Sequence, residues 1–163
     1  MIVQLRLDER LIHGQITTAW SKFLTVNAIV VANDKLYEND LAKKTLLMSA
    51  PAGIKVTVRT VEGTISLLDD PRSEKMRVLI IVDNPKDALT LSEALDIKEV
   101  NCGNYVKKKS ENKVEIAPTL RADPEDLEIF RQLANSNRHV FCQLIPTYAA
   151  TELSDNLNKL GEK

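Results

Sequence analysis

The chain opens MIVQLRLDERLIHGQ, Met1 to Gln15. Val3, Leu5 and Leu7 alternate with Gln4 and Arg6, the period of two that predicts a strand over Ile2–Leu7. After Gly14 the run QITTAWSKFL places Ile16, Ala19, Trp20 and Phe23 at helical spacing. Residues Asp8 to Gly14 therefore link the end of a strand to the start of a helix, with His13 in the link. Trp20 is read as core and Phe23 as part of the same apolar stripe.

That position has chemical uses. Ligands of open α/β sheets bind beyond the carboxyl ends of strands. A helix start offers unpaired N–H groups and the positive end of a dipole to an anion. Gly14 lets the backbone come close, and the amides of Gly14, Gln15 and Ile16 face that point. Arg10 carries a planar fork of donors suited to phosphate oxygens. His13 is a nucleophile through either ring nitrogen and can carry a phosphoryl group covalently. Asp8, on the same loop, could orient the Arg10 guanidinium or the His13 ring. Spacing alone also fits an exposed histidine beside a surface ion pair of Arg10 with Asp8 or Glu9.

Downstream the chain alternates strand and helix about six times. The run AIVVA, Ala28–Ala32, is apolar and β-branched, as a strand buried on both faces is. Asn39 or Asp40 is predicted to cap a helix carrying Leu41, Thr45, Leu46, Met48 and Ala50, stopped by Pro51 and Gly53. Ile54–Val58 reads as a third strand, with Thr60 capping a helix over Val61–Leu68. The run VLIIV, Val78–Val82, is the most apolar strand and is expected at the centre. Asp83-Asn84-Pro85 supplies a strand end, a cap and a first-turn proline for a helix over Pro85–Leu95. Glu99–Cys102 is predicted as a short strand ending at Gly103-Asn104. Tyr105–Lys109 and Lys113–Ala117 then read as a hairpin that gives an antiparallel edge. Asp123-Pro124 caps Glu125–Ala134, striped by Leu127, Phe130, Arg131 and Ala134. Val140–Ile145 is the last predicted strand, and Thr147 is predicted to cap a terminal helix carrying Ala150, Leu153, Leu157 and Leu160.

With no linker or repeat, this is one domain over residues 1–163. It is α/β, three-layered, with a mostly parallel sheet of about seven strands, one antiparallel edge strand and helices on both faces. The 163 residues, 44% hydrophobic and 28% charged, suit such a core. A net charge of −1 leaves no electrostatic footprint for nucleic acid. Lys107–Lys109 reads as a solvated turn. No apolar stretch is long enough for a membrane span, and Met1 leads straight into a strand rather than a signal peptide. Two cysteines, Cys102 and Cys142, far apart in sequence, read as buried thiols of a cytoplasmic protein. With two histidines beside them, no metal cluster is indicated.

Strand-end loops bring Asn33-Asp34, Thr60, Asp83-Asn84, Gly103-Asn104 and Pro146-Thr147 toward one sheet edge, though most of these are also ordinary cap or turn residues. His139, at the start of a strand, reads as a surface residue. Neither a phosphate-cradling glycine loop nor a G-x-S-x-G elbow occurs.

The loop resembles the active-site loop of IIB subunits of the bacterial sugar phosphotransferase system, mannose/fructose/sorbose family. That pattern, R-I-D-[DE]-R-L-I-H-G-Q, is met by Arg6-Leu7-Asp8-Glu9-Arg10-Leu11-Ile12-His13-Gly14-Gln15, with only Leu7 departing. The likeness continues through Val30–Val56, Val82–Leu91, Val100–Tyr105 and Ile145–Thr147. Asn104 after Gly103 is similar to branches that handle amino sugars. The resemblance implies a seven-stranded sheet with one antiparallel strand, and a phosphocarrier in which His13 takes a phosphoryl group from a IIA phosphohistidine, through Nδ1. His13 then gives it to a sugar on membrane IIC and IID subunits. It implies no cofactor and no metal, and peripheral association with the membrane's inner face. Two other readings fit the composition. One is a receiver domain phosphorylated on aspartate, with Asp8-Glu9 holding Mg²⁺, although the third strand ends in Arg59-Thr60 where that chemistry wants Asp. The other is a non-catalytic small-molecule-binding module, which leaves Arg10 and His13 unexplained.

Overall fold

Caps and prolines set most of the element boundaries. Asn39, Thr60, Asn84 and Asp123 each accept a hydrogen bond from the first turn of the helix they begin, and Pro85 and Pro124 occupy first-turn positions where no N–H is needed. The computed structural model describes residues 1–107 and 110–161. The elements run β1 (Ile2–Asp8), α1 (Gly14–Phe23), β2 (Ala28–Ala32), α2 (Asp34–Glu38), α3 (Asp40–Leu47), β3 (Lys55–Arg59) and α4 (Val61–Asp69). After a 3-10 turn at Pro71–Lys75 come β4 (Val78–Val82), α5 (Pro85–Ala94), β5 (Glu99–Val106), β6 (Val114–Ala117), β7 (Leu120–Ala122), α6 (Pro124–Ala134), β8 (His139–Cys142), β9 (Thr151–Glu152) and α7 (Leu153–Leu160).

The continuous path across the sheet is β3-β2-β4-β1-β5-β7-β6, seven strands. β1 lies between β4 and β5, parallel to both, so its carboxyl end sits in the middle of the sheet edge. The far side of β5 forks. Glu99–Asn101 pair with β8, while Tyr105 and Val106 pair with β7. Antiparallel pairing is confined to the rim, β6 with β7 and the two-residue β9 with β8. The expectation of a mostly parallel α/β sheet with an antiparallel edge holds.

Two apolar layers cover the sheet. One joins Leu5, Leu7, Val30, Ile80, Val82 and Val100 to Ala88, Leu91, Phe130, Leu133 and Leu153 of α5, α6 and α7. The other joins Ile12, Ile29, Val31, Leu79 and Ile81 to Trp20 of α1. Trp20 is 1% exposed, as a core residue should be. Burying one such aromatic is worth about 1.5–3 kcal/mol.

Several expectations need correction. β1 is not half-exposed: Gln4, Arg6 and Asp8, on its nominally polar side, are all buried, because α1 covers that face too. Phe23 is exposed and meets Trp20 edge-on from outside the core. An extra short helix, α2, begins at Asn33, whose side chain accepts from the Leu36 amide. Leu41 on α3 and Met48 just past its end are exposed rather than packed. The third strand is shifted one residue, to Lys55–Arg59.

Among the described residues the predicted hairpin does not form. β5 continues through Gly103 to Val106, and the antiparallel partner of β6 is β7, reached around Pro118-Thr119. The Tyr105 amide donates to the Thr119 carbonyl, which makes that corner rather than a hairpin at Ser110–Asn112. Lys107 pairs with Asp123 at 3.0 Å rather than standing free in solvent; Lys108 and Lys109 lie outside the described residues. The last long strand stops at Cys142, and Thr147 is exposed and caps nothing, since α7 starts at Leu153 behind Glu152. The backbone carbonyls of Gln143 and Leu144, just past Cys142, accept from Arg6 instead of continuing the strand.

Cys102 and Cys142 are free and buried, and burial pushes both thiols up, Cys142 to about 11. His139 is a surface residue with a structural job. Its Nε2 lies 2.8 Å from Glu152 and its Nδ1 2.8 Å from Glu99, so the doubly protonated ring ties β5, β8 and β9 together. Glu152 first and Glu99 second raise its pKa above 6.5. A raised folded value means a stabilising contribution fully present below about pH 6.5 and lost as pH climbs through the folded value. All three side chains are about half exposed, so solvent screening holds the effect below about 1 kcal/mol. His139→Gln should therefore lower the melting temperature at pH 5.5 and leave it unchanged at pH 8.5. An equal deficit at both values would show that the ring's charge is irrelevant.

Candidate active site

The loop after β1 is folded around the Asp8 carboxylate. Asp8 is fully buried at the strand end. Its Oδ1 accepts from the Arg10 backbone N–H at 3.1 Å, with the Asn104 side-chain amide at 3.5 Å. Its Oδ2 accepts from Arg6 Nη2 at 3.1 Å and faces His13 Nε2 at 2.8 Å. The Leu11 amide closes a turn on the Asp8 carbonyl, and the Glu9 amide pins the loop to the Asn104 carbonyl of β5. Ile12 plugs into the Trp20 layer. With Ile12 anchored and the turn closed, Leu11 is held at φ 59°, a left-handed conformation that costs a branched side chain about 1–2 kcal/mol. Such strain persists only where the surroundings fix it.

His13 is itself the residue that starts α1. Its side chain makes no cap bond, and its own backbone N–H donates back to Thr17 Oγ1. The first amides of a helix have no intrahelical acceptor, so the Gly14, Gln15 and Ile16 N–H groups stand at the helix start beside the imidazole. Gly14 has φ 52° with open space around it; the turn needs glycine for its backbone angle, not for room. The His13 side chain is 18% exposed, reachable yet held. Nε2 is engaged by Asp8, and no hydrogen bond to Nδ1 occurs among the described residues.

The open question about Asp8 is thus answered in favour of the His13 ring. Arg10 offers Asp8 only its backbone; its side chain is exposed, and no ion pair or hydrogen bond to it occurs among the described residues. A surface pair of Arg10 with Asp8 or Glu9 is therefore absent. Asn33, Thr60 and Asn84 serve as caps, and Asp34 accepts from the Val61 amide, so these strand-end residues do structural work. The Mg²⁺ pair also fails: Asp8 is committed to Arg6 and His13, while Glu9 turns to the Val106 amide, and the described residues hold no cluster of His, Cys, Asp or Glu fit for a metal ion.

Sequence reasoning missed Arg6. It is 3% exposed, donates from Nη1 to the Gln143 carbonyl at 3.0 Å and from Nη2 to the Leu144 carbonyl at 2.9 Å, and lies 5.2 Å over the Trp20 ring. Burial draws its pKa down, and Asp8 opposes that. A charged residue on a strand covered on both faces has to be buried and paired, but the alternation of β1 does not show that its second face is covered.

The protein-family model described as "PTS system sorbose subfamily IIB component" matches residues 2–163. The chain belongs to this family. A curated relative from Streptococcus pyogenes, "Probable phosphotransferase enzyme IIB component", is 36% identical over 97% of this chain and all of its own length. The mannose-specific EIIAB component of Escherichia coli is 29% identical over 96% of this chain, which spans 48% of that longer protein. Among solved structures, the IIBSor domain of the sorbose permease from Klebsiella pneumoniae superposes with a TM-score of 0.89, at 28% identity, covering 98% of this chain and 97% of that one. The protein is a phosphocarrier component of sugar transport by the phosphotransferase system, and an enzyme of phosphoryl transfer. The receiver and simple binding-module readings find no support beside this membership. No helix of the described residues is long and apolar enough to cross a membrane.

Proposed function

We propose that His13 carries the phosphoryl group on Nδ1, taking it from the phosphohistidine of a IIA partner and giving it to a sugar held by membrane IIC and IID subunits. The observation that carries this reading is the 2.8 Å contact of His13 Nε2 with buried Asp8, which leaves the Nδ1 lone pair as nucleophile. In the first step that lone pair bonds to phosphorus while the donor's N–P bond breaks. The His13 ring becomes an N-phospho-imidazolium whose Nε2–H faces a carboxylate. In the second, a sugar hydroxyl oxygen bonds to phosphorus, its proton is lost at the sugar site, and the N–P bond electrons return to Nδ1. Because Nε2 keeps its proton, the leaving ring departs as neutral imidazole. In-line positioning and charge stabilisation suffice for such transfers, and neither a metal nor an organic cofactor is required.

The phosphoryl oxygens are met by the Gly14, Gln15 and Ile16 amides and by Arg10. The exposed, unpaired Arg10 side chain is free to swing onto a group on His13. A preorganised donor of this kind is worth about 3 kcal/mol in the transition state, roughly a hundredfold in rate. Arg10→Lys keeps the charge without the fork, and should slow transfer about a hundredfold while leaving the melting temperature nearly unchanged. Wild-type rates in that variant would reduce Arg10 to a surface charge.

The IIA partner is supported by the relative named as an EIIAB component, of which this chain spans only 48%. The exposed Arg10, Gly14 and Gln15 leave this face open to partners; docking of IIA and of the membrane subunits there would place the protein in the cytoplasm against the inner membrane face. Incubation with a phosphorylated IIA domain, followed by mass spectrometry, tests the reading. An acid-labile, base-stable phosphate on His13 is expected; label on His139, Asp8 or Asp83 would contradict it.

A further inference from the structure

Asp8 can hold the His13 ring in one orientation only if something holds Asp8. A carboxylate with no exposed surface loses the water that would stabilise its charge, and needs a paired cation with good geometry. Arg6 is that cation, and its own position is fixed from three sides. The Gln143 and Leu144 carbonyls take one edge of the guanidinium, the Trp20 ring covers a face, and Trp20 Nε1 donates at 2.9 Å to the same Leu144 carbonyl that Arg6 uses. Opposite, Gly103 leaves the space in which the guanidinium lies. A Cβ on Gly103 would fall on Arg6 Nη1, Cζ and Nη2. Gly103 has no positive φ to explain it, so the residue is glycine for Arg6's sake.

We propose that Arg6 is a positioning residue that, through Asp8, sets which nitrogen of His13 bears the proton and therefore which nitrogen accepts the phosphoryl group, with Gly103 as the residue that admits it. Beside an ionised Asp8, Nε2 is the protonated nitrogen and Nδ1 the nucleophile. Where Arg6 is displaced, the stranded buried carboxylate is relieved by taking up a proton. A protonated carboxyl donates to Nε2 instead of accepting from it, and the ring proton then moves to Nδ1, removing its lone pair. Lys at position 6 supplies one charge but cannot bond two carbonyls and a carboxylate from one rigid plane. The effect on transfer rests on His13 being the phosphoryl acceptor; the effect on the tautomer does not.

Ring nitrogen NMR on the full chain separates the two. The sequence has two histidines, so His139→Gln assigns the spectrum. At a pH where the His13 ring is neutral, the wild type should show the Nε2–H tautomer, and Nδ1–H there would overturn the proposal without any variant. Gly103→Ala and Arg6→Lys should each lose the single Nε2–H form, accept phosphate from a phosphorylated IIA domain at least tenfold more slowly, and yield Nε2-phosphohistidine beside the Nδ1 species. Folded variants that keep the wild-type tautomer overturn the proposal, even if they transfer slowly, because Arg6 would then be a structural ion pair only. A wild type that shows the predicted tautomer but takes no phosphate on His13 would remove His13 as the acceptor and leave Arg6's hold on the tautomer in place.

Discussion

Asp8→Asn is expected to slow phosphoryl transfer through His13 by about 10³- to 10⁴-fold in the protein that remains folded. Both oxygens of Asp8 receive donors only: the Arg10 and Asn104 N–H groups on one, Arg6 and the His13 ring on the other. An amide has one oxygen, so either orientation sets an NH₂ against a donor. The orientation that keeps Arg10 satisfied presents the NH₂ to Nε2, which must then accept, and the ring proton moves to Nδ1. The same exchange in the Ser-His-Asp triad costs about 10⁴-fold by holding the wrong tautomer. Stability falls as well, because removing one member of a buried ion pair strands the other, at a cost of about 3 kcal/mol. For a domain of this size that is a drop in melting temperature of roughly 10 °C. Scanning calorimetry and a single-turnover transfer assay read the two effects separately. A variant that transfers within tenfold of wild type would mean that Asp8 only braces the loop.

His13→Asn is expected to abolish acceptance of phosphate altogether. The loss should leave a folded protein, because the ring is no part of either apolar layer and asparagine is a favoured residue at a helix start. What is lost is one hydrogen bond to Asp8, worth about 1.5–3 kcal/mol for a charged acceptor and partly recovered if the amide reaches it. Circular dichroism should show native helix and sheet content, while radiolabelled donor leaves no phosphate on the chain. Undiminished labelling of the folded variant would move the acceptor elsewhere.

The parts of this molecule that could be read in advance are those where local chemistry and tertiary demand agree. β2 and β4 are apolar throughout because both faces are covered, and Asn84-Pro85 or Asp123-Pro124 can begin only a helix. The loop was legible because Gly14 and His13 interrupt a clear change from strand to helix period. Elsewhere a local pattern had two tertiary solutions. Tyr105–Lys109 and Lys113–Ala117 alternate as a hairpin would, yet β5 is prolonged past Gly103 and its end goes to β7. Phe23 has helical spacing with Trp20, but only Trp20 is buried and Phe23 meets its ring edge-on from the solvent side. The burial of Arg6 is not legible, since alternation places it with Gln4 on one side of the strand and cannot show whether α1 covers that side. Its acceptors at Gln143 and Leu144 are backbone carbonyls, which side-chain identity does not reveal.

The central claim is that the phosphoryl group resides on His13 Nδ1 with Nε2–H still held by Asp8. Phosphorus and ring-nitrogen NMR of the chain after transfer from a phosphorylated IIA domain measures it directly. The predicted result is a single phosphohistidine, bonded at Nδ1 of His13, with a protonated Nε2 protected from solvent exchange. A phosphorus bonded to Nε2, or to any residue other than His13, would contradict it.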